Sequence, residues 1–252
     1  MNSSIKTDFL GIKVNVLTKD ELVDRVLEFA LSGKRKVITY LNAHCVNVAF
    51  TDGEYKKILN LSDIVHADGM SVVWASLFLR RPLPERVNIF DFSDKIFEKI
   101  TEKGIKLYFL GGRKAVVRRA VENLRKEFFS INVLGFHNGY FTDSEGKEII
   151  KEINALRPNI LIVGMGIPKQ EKWIFKHLDG LEVNLCWLAG SGMFDNLSGS
   201  IRTAPRWMGH VGLEWLHKLC QDPRRLWRRY LIGNPFFIYR VLECKVRSLF
   251  FR

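Results

Sequence analysis

Three apolar strands of the chain run directly into glycine turns that open helices: Phe109-Leu110-Gly111-Gly112-Arg113, Val163-Gly164-Met165-Gly166-Ile167-Pro168 and Ala189-Gly190-Ser191-Gly192. A strand apolar along its whole length is covered on both faces, and parallel strands need crossovers, usually helical, to join them. The same alternation runs through residues 11–188. Apolar and alternating runs predict strands over residues 11–17, 36–41, 64–67, 106–110, 131–136, 159–163 and 183–188. Helical spacing predicts helices over 18–31, 43–61 with a break near Asp52-Gly53, 69–79, 90–103, 114–128, 144–156 and 168–178. Thr18-Lys19-Asp20-Glu21 reads as a capping box at the first of these. Such alternation gives an α/β fold, a mainly parallel sheet with helices on both faces.

The chain of 252 residues carries 39 Lys and Arg against 27 Asp and Glu, a net charge of +12, and its 47% hydrophobic content excludes a disordered or collagen-like class. The position of the charge matters more than its total. Residues 202–252 hold a net +8, with Trp207, Trp215, Trp227, Phe236, Phe237, Phe250 and Phe251 among the arginines, and the rest of the chain holds +4. At 100° per residue, Arg224, Arg225, Arg228 and Arg229 share one arc and Leu226, Trp227, Tyr230 and Leu231 the opposite one. Residues 205–219 and 235–251 are further amphipathic helices by the same spacing. Two parts are therefore expected: an α/β body at 1–200 and a helical, basic appendage at 201–252.

That appendage reads as a contact with an anionic membrane surface. A nucleic-acid-binding protein using the Arg/Trp-rich helices is the alternative, and the apolar face opposite the arginines weighs against it. No apolar run approaches the roughly 18–20 residues of a spanning helix, and Met1-Asn2-Ser3-Ser4 does not begin a signal peptide. The four cysteines form no Cys-x-x-Cys pair. A cytoplasmic, non-transmembrane protein is expected.

Glycine turns at strand ends aim backbone N–H groups at an anion on the carboxyl edge of the sheet. Gly111, Gly112, Gly164, Gly166, Gly190 and Gly192 are thus expected around a phosphate-bearing ligand, the alternative being tight turns alone. Lys169 and Asp195 stand where a dinucleotide fingerprint needs its third glycine, and no Gly-Lys-Ser/Thr occurs, which argues against NAD and ATP. In His66-Ala67-Asp68-Gly69 the carboxylate either reaches the same edge or caps the following helix. Asn42, at the end of the second strand, either reaches that edge or is a turn residue, and Gln170 follows Pro168 in a first helical turn. No histidine cluster and no Asp-x-Asp appears, so no metal is expected; arginines can neutralise a diphosphate instead.

Several of these residues fall in longer motifs. Thr39-Tyr-Leu-Asn42-Ala-His44, Ala67-Asp68-Gly69, Glu85-Arg86-Val87, Leu110-Gly-Gly, Gly164-Met-Gly166-Ile-Pro-Lys-Gln170-Glu-Lys-Trp173, Ala204-Pro-Arg-Trp, Gly212-Leu-Glu-Trp-Leu and Asp222-Pro-Arg-Arg-Leu-Trp-Arg-Arg-Tyr230 resemble, in order, the WecG/TagA/CpsF glycosyltransferase family. The resemblance implies a Rossmann-like fold and an inverting, metal-independent transfer of a sugar, N-acetylmannosamine or another hexose, from a UDP-sugar to a polyprenyl-diphosphate-linked acceptor. It implies work in teichoic acid, common antigen or exopolysaccharide synthesis, with a C-terminal appendage at the inner face of the membrane. Carried over by position, it makes Asp68 the general base, places Asn42, Arg86 and Gln170 beside it, and sets Arg224, Arg225, Arg228 and Arg229 over the diphosphate. Thr39 and Asp91 are secondary substrate-binding candidates, and the oligomeric state, a homo-oligomer included, is open.

Overall fold

The computed structural model describes residues 5–202 and 204–250; Met1–Ser4, Thr203, Phe251 and Arg252 lie outside it, as do the side chains of Ser191, Arg206 and His210. A six-stranded sheet has the order β4-β3-β8-β7-β5-β6, with β3 Lys36–Leu41, β4 Ile64–Ala67, β5 Lys106–Gly111, β6 Asn132–His137, β7 Ile160–Gly164 and β8 Leu185–Leu188. The pairs β3/β8, β8/β7, β7/β5 and β5/β6 are parallel, as the alternation predicts. Contacts divide the chain into two units, and the division falls inside β3, between Thr39 and Tyr40.

The unit made of residues 20–39 and 89–202 holds the apolar strands. Every residue of β7 and β8 is buried. On one face Leu161, Val163, Cys186 and Leu188 pack with Ile149 and Ile153 of α7 (Asp143–Leu156) and Ile174 of α8 (Lys169–His177). Thr142 and Glu145 close a capping box that starts α7.

The other unit comprises residues 1–19, 40–88 and 203–252. It begins with a hairpin, β1 Lys6–Phe9 and β2 Ile12–Asn15, turned through Leu10 and Gly11 at φ 56° and 78°; β2 answers to the strand expected over 11–17, and β1 is the strand that the pattern missed. Positive φ at both turn residues makes the strands' twist match. The expected break near Asp52 is real. Asp52 ends α2 (Ala43–Thr51) and its carboxylate accepts from Tyr55 N to start α3 (Gly53–Leu61). β4 leads through Asp68-Gly69 into α4 (Met70–Phe78).

The C-terminal segment groups with this unit instead of standing apart. It forms α10 (Arg206–His210), α11 (Glu214–Gln221), α12 (Pro223–Trp227) and α13 (Gly233–Phe250). Phe237 and Val241 of α13 are buried, Phe237 stacks on Phe9, and Asn47 of α2 donates to Gly233 O at 2.6 Å and accepts from Arg240. The expected single helix at 205–219 is broken at Gly212, whose φ of +68° and approach to Trp74, 2.4 Å from where a Cβ would sit, suit only glycine. A wide π-turn, Arg228–Ile232, separates α12 from α13. It shifts the phase of the helix, so the regular 100° spacing fails there: Arg229 turns inward while Trp227 and Leu231 are exposed.

Candidate active site

In the first-described unit, β5, β7 and β8 end side by side, with Gly111 opposite Gly164 and Val163 opposite Leu188. The glycines there are required by backbone contact. A Cβ on Gly111 would lie 2.3 Å from Gly164 O, and one on Gly164 would lie 2.8 Å from Phe194 and 2.9 Å from Gly190 O. The turn amides are already engaged: Gly112 N donates to Gly164 O, Gly190 N to Val163 O, and Gly166 N to Gln170 Oε1. Gly192 is exposed at the start of the short helix Ser191–Leu197. Asp91 is exposed at the end of the 3-10 turn Ile89–Asp91.

Gln170 and Thr39 are fully buried in the same unit. Gln170 Nε2 donates to Glu171 Oε1 at 2.9 Å, and Thr39 Oγ1 reaches the same oxygen at 3.5 Å. Gln170 thus ties the Gly166 turn to α8 as a positioning residue. Glu171, quoted in the sequence motif without a role, is fully buried, and its Oε2 has no hydrogen-bond partner. Burial pushes its carboxyl up to about 7, against the Gln170 and Thr39 donors that favour the ion. The native state therefore holds this proton more tightly than the unfolded chain does, and stability falls as pH rises from about 4.5 through 7. Glu171→Gln is expected to flatten that fall, raising the urea midpoint at pH 8 and leaving it nearly unchanged at pH 5.

The other unit holds a cavity of about 550 Å³. Asn42, Asp68 and Arg86 all line it, as does Arg229 alone of the four arginines at 224–229. Arg224, Arg225 and Arg228 are exposed, Arg225 being paired to Asp222 at 2.6 Å and Arg228 lying over Trp227. Asn42 reaches the pocket, as expected, and it is a helix cap where the sequence offered a turn residue. Its Oδ1 accepts from His44 N and Cys45 N to cap α2, and its Nδ2 donates to Asp68 Oδ2 at 3.4 Å. Asp68 does not cap, since Gly69 is the N-cap of α4; Asp68 N donates to Leu41 O, which points its side chain at the pocket.

Burial pushes the Asp68 carboxyl up to about 6; Glu214 adds to this, while Lys218, the Asn42 amide and Arg86 pull it down. Glu214 is the hub of these charges. It accepts from Arg86 Nη1 at 2.7 Å and pairs with Lys218 Nζ at 2.6 Å. Burial alone would push Glu214 up, but the two cations hold it below the ordinary glutamate value. Glu214 and Lys218 are the residues that sequence reasoning missed; the signal was a lone acid inside Gly212-Leu-Glu-Trp-Leu, with Lys218 one turn later. Glu214→Gln removes a negative neighbour from Asp68, so the acid limb of any Asp68-dependent rate profile should move to lower pH.

Arg229 supplies the remaining cation. It lies over the Tyr230 ring at 5.3 Å, and its Nε is buried with no hydrogen-bond partner. Burial and the Arg229 charge push His44 down to about 4, leaving it neutral at pH 7. Among the described residues no group of three or more His, Cys, Asp or Glu could hold a metal ion. No helix among them is long and apolar enough to cross a membrane.

The glycosyl transferase WecG/TagA/CpsF family profile matches residues 7–249. The chain belongs to this family. As a member of it, the protein is a glycosyltransferase. It is 29% identical over 246 residues to proteins of Staphylococcus aureus strains MW2 and NCTC 8325, each named N-acetylglucosaminyldiphosphoundecaprenol N-acetyl-beta-D-mannosaminyltransferase, covering 97% of this chain and 95% of theirs. The protein of strain MRSA252 bears the same name at 28% identity. The family motifs quoted from the sequence fall in both units, and Asn42, Asp68, Arg86, Glu214 and Arg229 are among the motif residues that line the cavity.

Proposed function

We propose that this glycosyltransferase moves an N-acetylmannosamine-type sugar from a UDP-sugar to a polyprenyl-diphosphate-linked saccharide, inverting the anomeric centre by direct displacement, for a cell-wall or extracellular polysaccharide. The observation that carries the reading is Asp68: a carboxyl held near pH 6 in a pocket that also offers cations for phosphate. A general base works best with a pKa near the operating pH. The acceptor hydroxyl attacks the anomeric carbon as its proton passes to Asp68, the bond from that carbon to the diphosphate oxygen breaks, and UDP leaves with the electron pair.

In this reading the pocket takes the acceptor. Asn42 orients the base through its hydrogen bond, Arg86 and Lys218 keep the base ionised at neutral pH, and Arg229 meets the acceptor's diphosphate. Gly111, Gly112, Gly164, Gly166, Gly190 and Gly192 are the candidates for contact with the nucleotide sugar, with Thr39 and Gln170 holding the turn at Gly166 and Asp91 a further candidate. No metal takes part; arginine and lysine side chains balance the phosphate charge. The basic, aromatic C-terminal helices meet the inner face of the membrane, where such an acceptor resides. The test is a panel of UDP-sugars with a polyprenyl-diphosphate-N-acetylglucosamine acceptor, reading UDP release. UDP-N-acetylmannosamine should be the preferred donor; UDP release with no donor in the panel overturns the reading.

A further inference from the structure

The pocket has two chemically distinct halves, and the transfer step uses only one. Beyond Asp68 and Arg86 its wall becomes apolar: Trp74 and Phe78 of α4 face Phe237, Ile238, Val241 and Leu242 of α13. Phe237 and Val241 form the floor, 4% and 6% exposed, whereas Trp74, Phe78, Ile238 and Leu242 remain 47–56% exposed. The apolar half is therefore an open trough, not a closed core. Lys245 secures its far end, donating to Phe78 O at 2.9 Å with its ammonium 5.3 Å from the Phe78 ring. Arg229, with its unsatisfied Nε, lines the same pocket.

We infer that this trough between α4 and α13 holds the first isoprene units of the acceptor's polyprenyl chain. The inference rests on the transferase reading of the same pocket and adds a substrate subsite to it. The occupant follows from complementarity. A row of exposed apolar side chains calls for a hydrocarbon partner, and a buried guanidinium donor without a partner calls for an anion. A molecule with a diphosphate head on a hydrocarbon chain satisfies both; a second copy of the protein laid over the trough would cover the apolar row and leave Arg229 unsatisfied. A cavity of about 550 Å³ is the size of a small-ligand site, so it takes the start of a long chain while the remainder stays in the bilayer. The body of the protein, through α4, thus contributes to lipid recognition together with the C-terminal helices.

Contacts to a hydrocarbon remote from the reacting atoms are equal in ground and transition states, so they act on KM and not on kcat. The test compares the full-length protein with the double variant Ile238→Gln, Leu242→Gln, at exposed positions that take no part in the chemistry. Two acceptors share one diphosphate-sugar head, one with a long prenyl chain in detergent, one with a butyl chain in water. The variant should raise KM for the prenyl acceptor at least tenfold with kcat unchanged, and leave the butyl acceptor unaffected. Equal effects on both acceptors, or none on either, overturn the inference. So does a dimer without lipid that the double variant abolishes in sedimentation velocity. Binding of polyprenyl monophosphate in detergent reads the trough without any sugar transfer. If the wild-type protein turns over neither acceptor but binds this lipid at least tenfold more tightly than the variant, the transferase reading falls and the trough stands; equal binding removes the trough.

Discussion

Asp68→Asn lowers turnover at least a hundredfold while leaving UDP-sugar affinity close to wild type. The magnitude is that of a positioned general base, 10²- to 10⁴-fold, and the amide keeps the size of the side chain. The wild-type profile identifies the group. Activity belongs to the carboxylate, so kcat/KM should fall tenfold per unit below about pH 6 and level off above it. The variant's residual rate should lose that limb. Stability should move the opposite way. A carboxyl raised from 3.8 to about 6 binds its proton more tightly in the native state, so its burial costs stability increasingly as pH rises from about 4 to 6 and fully above that. Each pKa unit is worth about 1.4 kcal/mol, and because Asp68 keeps some contact with solvent through the pocket the variant should gain about 2 kcal/mol at pH 8 and little at pH 4. Loss of rate with gain of stability distinguishes a base held at energetic cost from a structural carboxylate, whose removal lowers both. Wild-type turnover in the variant removes Asp68 from the role.

The alternation of apolar strands and helices was enough to read the parallel sheet, since buried strands are apolar along their whole length and leave little ambiguity. Asp68, Asn42 and Arg86 were legible because each ends or follows a strand or sits in a specific motif. The first strand of the hairpin, Lys6–Phe9, was not, because Lys6-Thr7-Asp8 is too polar to read as a strand and only its pairing with β2 makes it one. Arg229 illustrates the other limit. Spacing alone grouped it with Arg224, Arg225 and Arg228; the π-turn that sends it into the pocket depends on how α12 and α13 pack, which periodicity does not record. The glycine turns were found correctly, but Gly111 and Gly164 are glycines because neighbouring backbones touch there, a tertiary cause that a turn motif does not reveal.

Ending the chain after Ser200 should abolish transfer and also unfold part of the remaining protein, and the second effect departs from what the charge distribution suggests. A basic, amphipathic tail reads as a detachable appendage, whose loss leaves a folded body without activity. The structure places Phe237 and Val241 in a buried core with Phe9, and ties α13 to α2 through Asn47 and to α4 through Lys245 and Phe78. Deleting a single buried Phe side chain costs 3–5 kcal/mol, and total domain stabilities are only about 5–15 kcal/mol. Removing Phe237, Val241 and the contacts of a whole helix therefore consumes most of what this unit has. The truncated chain should bind a hydrophobic dye, and the amides of α2, bonded to Gly233 and Arg240 through Asn47, should lose protection from hydrogen exchange. A chain ending at Arg247 keeps Phe237, Val241 and Lys245 and should retain both protection and a cooperative urea transition. The two truncations separate two causes of inactivity: if the chain ending at Ser200 unfolds cooperatively with α2 fully protected, the C-terminal helices serve substrate and membrane alone; lost protection makes them part of the core that holds Asn42 and Asp68 in place.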